Sequence, residues 1–356
     1  MAGLYVHFPF CASRCIYCDF YARTGKDWRP YIEALIKEVR ERKDELEGVP
    51  PTTLYFGGGT PSLLPEEALK RVYGAVCETF GTSGFEEFTV EVNPDDVDAG
   101  KAAGLRAIGA DRISVGVQSF QDRHLKWMGR RHNSGQAAEA LQLLREAGFN
   151  NLSLDLIFGF TGLGEADWAD NIRKAVELRP EHISCYQMMG RWSEADEELC
   201  REQYAVLQEK LAEAGYLQYE ISNFSLPGRE SRHNSAYWNR EAYLGFGAGA
   251  HSFDGKRRRS WNTPDIDAYA AKRPCSGETL SDNEILEEKL MLRLRTVRGM
   301  KWSVLSEKEL EAINKTTLEE LSRAGKIEIL PDGIRIPKSE LFVSDDIICR
   351  LIPDTE

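Results

Sequence analysis

The stretch CASRCIYC, residues 11–18, holds three cysteines at the spacing C-x3-C-x2-C, namely Cys11, Cys15 and Cys18. A structural zinc ion takes four protein ligands, and so does a conventional four-iron cluster. The chain continues with Asp19 and Phe20, so no fourth cysteine follows nearby. Three thiolates on a four-iron cluster would leave one iron with an open coordination position, where a substrate can bind directly. The alternative is a zinc site completed by His7 or Asp19.

The composition is that of an ordinary globular protein with an acidic balance. Of the 356 residues, 42% are hydrophobic and 29% are charged, and the formal net charge is −12. Proteins that bind nucleic acid usually present a basic face, so this charge argues against such a partner. No window of the sequence approaches the roughly 20 apolar residues that a membrane span needs, which leaves at most peripheral contact with a membrane.

The cysteine usage indicates a reducing compartment. We expect no signal peptide, because the chain does not begin with a charged segment followed by a long apolar stretch, and we expect a cytoplasmic location. Thiols stay reduced there, so clustered cysteines usually bind metal instead of pairing as disulfides. We expect the scattered cysteines to be ordinary core or surface residues: Cys77, Cys185, Cys200, Cys275 and Cys349.

Short apolar runs alternate with longer amphipathic segments over the first ~220 residues, which is the pattern of β/α units. The predicted strands are Leu4–Phe8, Thr53–Phe56, Glu87–Val92, Arg112–Val117, Leu152–Phe158 and His182–Tyr186. The predicted helices are Tyr31–Glu47, Glu66–Phe80, Asp96–Ala107, Gly135–Ala147, Asp167–Leu178 and Glu197–Ala214. Such units predict a parallel sheet with outer helices, either doubly wound or curled into an incomplete (β/α)6 barrel. Polar and glycine motifs follow nearly every strand, which favours the barrel, because a barrel builds its active site from many strand ends.

Two further regions follow this core, which we assign to residues 1–227. Residues 228–280 are rich in glycine, aromatic residues and histidine, contain the motifs HNSAYW and GAGAHS, and show no clear period. Residues 281–356 predict a helical module, with helices at Glu284–Val297, Glu307–Ile313 and Thr317–Ala324. A turn at residues 331–333 predicts a hairpin between Ile327–Leu330 and Ile334–Pro337. The module is winged-helix-like but not basic, so a packing role is favoured over DNA binding.

Polar and glycine residues mark the ends of several predicted strands. A glycine-rich loop follows the second strand, and it consists of Gly57, Gly58, Gly59 and Thr60. Glycines let the backbone approach a ligand closely, although an ordinary tight loop would have the same composition. Because an unpartnered polar group is costly to bury, three residues at the ends of other apolar runs predict a pocket lining: Glu91, Gln118 and Asp155. Arg130, taken alone, is more typical of a surface charge.

Together these motifs resemble the radical S-adenosylmethionine (SAM) superfamily over essentially the whole chain. The resemblance rests on YVHFPFC, GGGTPS, VEVNP, VGVQSF, DLIFG and the block from HNSAYW to GAGAHS. The branch concerned contains the oxygen-independent coproporphyrinogen III dehydrogenases and the HemW-type heme chaperones. The resemblance implies an α/β fold, an incomplete (β/α)6 radical SAM barrel with a small C-terminal HemN-type helical module. It also implies that SAM chelates the open iron of a [4Fe-4S] cluster.

The resemblance implies roles for particular residues. The [4Fe-4S] cluster would be bound by Cys11, Cys15 and Cys18. The residues that would line the SAM site are Tyr5, Tyr17, Gly58, Gly59 and Thr60. Further SAM contacts would be made by Glu91, Gln118, Arg130 and Asp155. Gln187 and His251 fall where the dehydrogenase has apolar neighbours of SAM, and no catalytic residue is assigned.

Two features favour the heme chaperones over the dehydrogenase. In the dehydrogenase, a glycine and a fourth cysteine follow the third cluster cysteine, whereas this chain has Asp19 and Phe20. The block HNSAYW resembles a signature associated with heme. It offers an imidazole for iron and aromatic faces for a porphyrin, at His233, Tyr237 and Trp238. The alternative for His233 is a structural histidine that donates to a backbone carbonyl.

The implied function is that of a radical SAM heme chaperone, which binds heme and transfers it to apo-hemoproteins. Respiratory apo-proteins are the candidate acceptors, a homodimer is a candidate assembly, and we expect no coproporphyrinogen dehydrogenase activity. One alternative is an oxygen-independent coproporphyrinogen III oxidase-like enzyme of porphyrin biosynthesis or a related methyltransferase. A zinc-stabilised protein without SAM chemistry is the other alternative.

One departure from the family pattern follows the sixth predicted strand. After the position of Gln187, HemW-type chains usually run through a longer segment that contains an E-P-x-T-type stretch. This chain passes from Met189 almost directly into Ser193–Asp196. We therefore expect a shortened rim and an altered cover over the active site.

Overall fold

The first part of the chain alternates strands and helices, as the sequence predicts. The computed structural model describes residues 2–190 and 196–352. The strands are β1 (Ala2–Phe8), β2 (Pro51–Gly58), β3 (Glu87–Val92), β4 (Arg112–Gln118), β5 (Leu152–Phe158) and β6 (His182–Gln187). The helices are α1 (Arg29–Glu41), α2 (Glu66–Phe80), α3 (Ala99–Ala107), α4 (Asp122–Trp127), α5 (Ser134–Glu146), α6 (Glu165–Glu177) and α7 (Glu197–Glu213). The six predicted strands and six predicted helices are confirmed, with shifted ends, whereas the short α4 was not predicted.

The strands β1 to β6 form a parallel sheet in sequence order, and the sheet does not close. The strands are largely buried on both faces; in β1, Leu4, Val6 and Phe8 are fully buried on one face and His7 is buried on the other. Helices cover the apolar face of the sheet, while the other face carries polar residues, such as Glu91 and Asp155, that line the barrel interior. The incomplete barrel is therefore confirmed.

The chain that follows α7 extends both edges of this sheet. Its elements are β7 (Leu217–Gln218), β8 (Asn223–Ser225), α8 (Arg232–Trp238), β9 (Ala242–Phe246), β10 (His251–Phe253), β11 (Arg258–Asn262), α9 (Ile266–Lys272) and β12 (Cys275–Thr279). β8 pairs antiparallel with β6, and β9 pairs parallel with β1. A Cβ at Gly245, within β9, would lie 2.1 Å from the carbonyl oxygen of His251, so the close approach of the β10 backbone requires glycine there.

The C-terminal module is helical with a small sheet, as predicted. Its elements are α10 (Asp282–Leu294), β13 (Met300–Lys301), α11 (Glu307–Ala312), α12 (Lys315–Arg323), β14 (Glu328–Leu330), β15 (Gly333–Arg335) and α13 (Ser344–Leu351). The β14–β15 hairpin is confirmed, while β13 adds a third strand that was not predicted. Apolar residues of α10, α12 and α13 join the core of the barrel. In the part of the chain that the structure describes, no helix has the length and apolar character to cross a bilayer.

A buried carboxylate joins α1 to the elements around β9. Glu38 is fully buried and accepts hydrogen bonds from Arg42 Nη1 (2.9 Å), Asn262 Nδ2 (2.8 Å), the Gly247 amide (2.9 Å) and the Tyr269 hydroxyl (2.5 Å). These partners come from α1, β11, the turn after β9 and α9. Glu38 therefore fixes the edge of the sheet next to β1, the strand that leads into the cysteine cluster.

We predict that Glu38→Ala lowers the free energy of unfolding by about 3–5 kcal/mol, because it leaves three buried donors (Gly247, Asn262 and Tyr269) without their acceptor and leaves Arg42 with Glu45 as its remaining carboxylate. The matched control is Glu33→Ala on the same helix. Glu33 is paired with Arg71 at 2.7 Å, but its side chain is 64% exposed. We expect this control to change stability by less than about 1 kcal/mol. Urea titration followed by circular dichroism measures both, and equal losses would contradict the role given to Glu38.

Candidate functional site

The largest group of predicted site residues lines one cavity inside the barrel. The cavity has a volume of about 440 Å³ and opens at the carboxyl ends of the strands. Eleven predicted site residues line it, which are Cys11, Cys15, Cys18, Tyr17, Gly58, Gly59, Thr60, Glu91, Gln118, Arg130 and Asp155. The fold thus brings together the cysteine cluster, the glycine-rich loop and three polar residues of β3, β4 and β5. Of these, Glu91 and Gln118 lie near the ends of their strands as predicted, whereas Asp155 lies in the middle of β5.

Close contact between two backbones holds the glycine-rich loop against the chain that precedes the cysteines. The amides of Gly59 and Thr60 donate to the carbonyl oxygens of Phe8 and Phe10, at 2.9 and 2.8 Å. A Cβ at Gly59 would lie 2.6 Å from the Phe8 oxygen. A Cβ at Gly58, where φ is +104°, would lie 2.3 Å from the His7 ring. These two glycines are therefore required for packing against the cysteine segment, whether or not they also contact a ligand.

The zinc alternative finds no support in the positions of its extra ligands. His7 Nδ1 bonds to the Tyr5 hydroxyl at 2.9 Å, and Nε2 donates to the carbonyl oxygen of Tyr21 at 2.9 Å. Both ring nitrogens are thus engaged, and neither His7 nor Asp19 lines the cavity of the cysteines. Across residues 2–190 and 196–352, no group of three His, Cys, Asp or Glu side chains is placed to hold a single metal ion.

Two partly buried carboxyl groups line the cavity, and both bind protons more tightly than usual. Burial raises the pKa of Glu91 to about 7 and that of Asp155 to about 6. Glu91 accepts hydrogen bonds from the Tyr55 hydroxyl at 2.8 Å and from the Gly58 amide at 3.0 Å. Glu91 therefore both shapes the glycine-rich loop and places a carboxyl group, half ionised near neutral pH, on the cavity wall.

The end of β4 is distorted where Gln118 enters the cavity. Gln118 has φ of +69°, although it is not glycine, and the pairing of β4 with β5 shifts register between Val115 and Gln118. A residue held in this left-handed conformation costs about 1–3 kcal/mol, and such residues cluster at binding sites. A bulge of this kind aims a side chain away from the regular alternation of the strand.

Arg130 is not a surface charge. Its Nη2 donates to Asn93 Oδ1 at 2.6 Å and to the Gly116 carbonyl at 2.5 Å, while its Nη1 points to Cys15 Sγ at 3.6 Å. The expectation from Arg130 alone was therefore wrong, because its side chain lines the cavity of the cysteines.

A second cavity of about 500 Å³ adjoins the first and is lined mainly by aromatic residues and histidines. Tyr5, His233, Tyr237 and His251 lie here, and the two cavities share part of their lining, namely Phe20, Tyr55, Gly58, Glu91 and Asn234. Two other predicted site residues lie outside both cavities. Trp238 lines a small groove with residues of α10, and Gln187 lies beside Cys200.

Of the three histidines that line the second cavity, His233 and His251 differ in their availability. His233 is 2% exposed; its Nδ1 bonds to Thr53 Oγ1 at 2.8 Å and its Nε2 to the Tyr237 hydroxyl at 2.9 Å. Burial lowers its pKa to about 3, so the ring is neutral. His251 is exposed and stacks on Trp261 with ring centroids 5.7 Å apart. Burial of part of its ring lowers its pKa as well.

The sequence did not predict several residues that line the two cavities or bond to residues of their lining. Tyr55 lines both cavities, and Asn93 bonds to both Thr60 and Arg130. Arg112 lines the first cavity although it is only 2% exposed. A signal existed for Asn93, because it lies in VEVNP next to Glu91, and for Tyr55, whose hydroxyl interrupts an apolar strand.

Comparisons with known proteins give the same superfamily as the sequence motifs. The family model of the radical SAM superfamily matches residues 5–175, and that of the HemN C-terminal domain matches residues 280–343. A heme chaperone HemW from Synechocystis sp. is 36% identical over 340 residues, which cover 88% of this chain and 81% of the relative. A heme chaperone HemW from Bacillus subtilis is 35% identical over 351 residues, covering 92% and 93%. The chain belongs to the HemW-type branch of the radical SAM superfamily.

A solved structure has the same fold as this chain. The structure is similar to that of the coproporphyrinogen III oxidase HemN from Escherichia coli, with a TM-score of 0.86, 20% identity and coverage of 99% of this chain and 90% of that chain. At this identity the likeness shows the fold alone. The radical SAM assignment implies a [4Fe-4S] cluster and SAM, and the three thiols in one cavity fit that cluster, so the zinc alternative is wrong.

We predict that only the clustered thiols hold iron. After anaerobic reconstitution the protein should contain about four irons per chain, and replacing Cys11, Cys15 or Cys18 by Ala should abolish the cluster. The controls are Cys77→Ala, Cys275→Ala and Cys349→Ala, which remove thiols outside the cavity. Iron and acid-labile sulfide are measured on every variant. Loss of the cluster in a control variant would contradict binding by three thiolates alone.

We also predict that SAM binds more tightly as the pH rises from about 6 to about 8. The Glu91 carboxyl group is mostly protonated below its pKa of about 7 and mostly charged above it, and a carboxylate attracts the sulfonium cation of SAM. The gain should be about tenfold, because the charged fraction of Glu91 rises from about a tenth at pH 6 to about nine-tenths at pH 8. Calorimetry at each pH measures it. In Glu91→Gln only a small gain should remain, from Asp155, whose pKa is about 6, and an unchanged pH profile in that variant would exclude Glu91 as its source.

Proposed function

We propose that this protein is a heme chaperone, which binds heme and passes it to apo-hemoproteins. The observation that carries the proposal is the aromatic second cavity, which shares a wall with the cavity of the cluster thiols. The relatives from Synechocystis sp. and Bacillus subtilis, both called heme chaperone HemW, support it. The neighbouring cavities suit one protein that holds a cluster, SAM and heme at the same time.

The second cavity has the chemistry that heme requires. Tyr5, Tyr55, Tyr237 and Tyr243 give it flat apolar faces against which a porphyrin can pack, and His251 lies in its lining. Iron in heme takes a neutral imidazole as axial ligand. The lowered pKa of His251 keeps that ring neutral at pH 7.

Of the two histidines, His251 is the better iron ligand. Both nitrogens of His233 already have partners, and coordination by Nε2 would break its bond to the Tyr237 hydroxyl. His251 is exposed, and its stacking on Trp261 fixes the ring without using either nitrogen. We therefore assign His233 to hold Tyr237 in place, and His251 to bind iron. Trp238 contributes from α8 only if that helix moves, because its side chain lies in a separate groove.

We assign the SAM-binding roles to the first cavity. The contacts are proposed for Tyr17, Gly58, Gly59, Thr60, Glu91, Gln118, Arg130 and Asp155, whereas Tyr5 acts from the second cavity. When bound, the cluster and SAM supply one-electron chemistry. The residues of this chain orient SAM, and Glu91 balances its positive charge. The protein is proposed to lack coproporphyrinogen dehydrogenase activity, because Phe20 occupies the position of the additional cysteine beside the cluster.

The finer features of the function are also proposals. A cytoplasmic location suits a protein with free thiols. Acceptors in the respiratory chain and association into a homodimer are further proposals. The division into a core at residues 1–227, a linking region at 228–280 and a module at 281–356 is likewise proposed. The shortened rim after Gln187 falls mainly in residues 191–195, which lie outside the described residues.

We predict stable binding of about one heme per chain through an imidazole. Spectroscopic titration with heme should give a Soret band that is lost or shifted in His251→Ala. In His233→Ala the affinity should fall by a smaller factor and the Soret position should stay, because only the support of Tyr237 is removed. The reverse order of the two variants would move the ligand to His233. Mixing the loaded protein with the apo form of a b-type hemoprotein should then transfer heme.

The enzyme alternative is tested on the same preparation. Reconstituted protein is incubated anaerobically with coproporphyrinogen III, SAM and a reductant, and the porphyrins are separated by chromatography. The proposal expects no protoporphyrinogen above the level of a Cys15→Ala control. Many turnovers per chain, together with no Soret band in the heme titration, would assign the protein to the dehydrogenases instead.

A further inference from the structure

Asn93 lies between two of the cluster thiols and contacts the hydrogen-bond donor of each. Its Nδ2 lies 3.0 Å from Thr60 Oγ1, and its Oδ1 lies 2.6 Å from Arg130 Nη2. Thr60 Oγ1 is in turn 3.6 Å from Cys11 Sγ, and Arg130 Nη1 is 3.6 Å from Cys15 Sγ. One amide therefore connects the partners of two cluster ligands.

The orientation of the Asn93 amide is fixed by its neighbours. A guanidinium carries only donors, so the atom of Asn93 that faces Arg130 is the acceptor Oδ1. The other atom, Nδ2, then faces Thr60 and donates to its hydroxyl oxygen. Arg130 is itself held by the Gly116 carbonyl at 2.5 Å, so the guanidinium cannot turn away from the amide without losing a second bond.

This orientation decides the direction of the Thr60 hydroxyl. Thr60 is 5% exposed, and its oxygen accepts from Asn93, which leaves its single hydrogen to be donated. The Cys11 sulfur lies within hydrogen-bond distance, and a thiolate that binds iron can only accept. The chain of donors thus runs from Arg130 through Asn93 to Thr60 and ends at Cys11, while the second arm of Arg130 ends at Cys15.

We propose that Asn93 is a positioning residue that directs one hydrogen bond to each of two cluster thiolates and thereby sets the reduction potential of the cluster. Hydrogen bonds to the sulfurs stabilise the more negative, reduced cluster and raise its potential. The inference rests on the assignment of Cys11, Cys15 and Cys18 as the cluster ligands. It concerns the protein alone and does not depend on heme or on SAM cleavage.

The test uses the isosteric variant Asn93→Asp. A carboxylate has no donor, so it still accepts from Arg130 but now also accepts from Thr60, whose hydroxyl turns away from Cys11. The midpoint potential of the reconstituted cluster is measured by anaerobic titration without SAM, together with the iron content. Iron content reports whether the cluster ligands are right, and the potential reports whether the chain of hydrogen bonds acts as proposed.

A double-mutant cycle removes the effect of the added charge. In the wild-type background, Thr60→Val deletes the O–H···S bond and should shift the reduction equilibrium toward the oxidised cluster by about tenfold, which is about 59 mV for one electron. In the Asn93→Asp background, Thr60→Val should add almost no shift, because the hydroxyl no longer reaches Cys11. Equal shifts in the two backgrounds, or no shift in the wild type, would overturn the proposal.

Two control variants should keep the wild-type potential. Thr60→Ser keeps the hydroxyl and should keep the wild-type potential. Ser62→Ala removes a contact to the Asn93 backbone amide at 3.3 Å without touching the side-chain amide, and it should also leave the potential unchanged. If Thr60→Val binds no iron, electron–nuclear double resonance in D2O on the wild type and on Asn93→Asp tests the proposal instead. Asn93→Asp should lose the coupling of one exchangeable deuteron, and an unchanged spectrum would overturn the proposal.

Discussion

The structure depends on the parallel pairing of β1 with β2. This pairing places His7 beside Gly57 and Phe8 beside Gly58, so the segment that enters the cysteine cluster lies along the glycine-rich loop. The amides of Gly59 and Thr60 then donate to the carbonyl oxygens of Phe8 and Phe10, and a Cβ at Gly59 would clash with this backbone. The cluster ligands and the loop therefore form one unit. The Glu38 network holds the other neighbour of β1, strand β9, in place from outside the barrel.

The same unit also joins the two cavities, which share part of their lining. Tyr55 and Glu91 lie in their common wall, and Glu91 binds the loop through the Gly58 amide. A change in the charge of Glu91 therefore reaches the SAM side and the aromatic side together. Under the proposed assignment, SAM and heme lie next to this one carboxyl group, so its charge acts on both ligands.

The sequence predicted the central sheet well, because each of the strands β1 to β6 has a row of buried apolar residues and the helices α1, α2 and α6 are strongly amphipathic. It could not predict that β9 pairs with β1, since a five-residue strand far along the chain has no local signal for its partner. The same limit applies to the site. The cysteine spacing and the glycine-rich loop were recognisable, whereas Asn93 became significant only when the fold brought Thr60 and Arg130 to its two ends. The motif HNSAYW pointed to His233 as an iron ligand, and only the three-dimensional structure shows that both of its ring nitrogens already have hydrogen-bond partners.

The central claim is that three thiolates hold a cluster whose remaining iron is open to SAM. The most direct measurement is electron–nuclear double resonance of the reduced, reconstituted protein with SAM labelled by 15N at the amino group and 17O at the carboxylate. The account predicts hyperfine couplings from both labels, large enough to require direct coordination to iron, and their absence in Cys15→Ala. Reconstituted protein that carries a reduced cluster and binds labelled SAM without either coupling would contradict it.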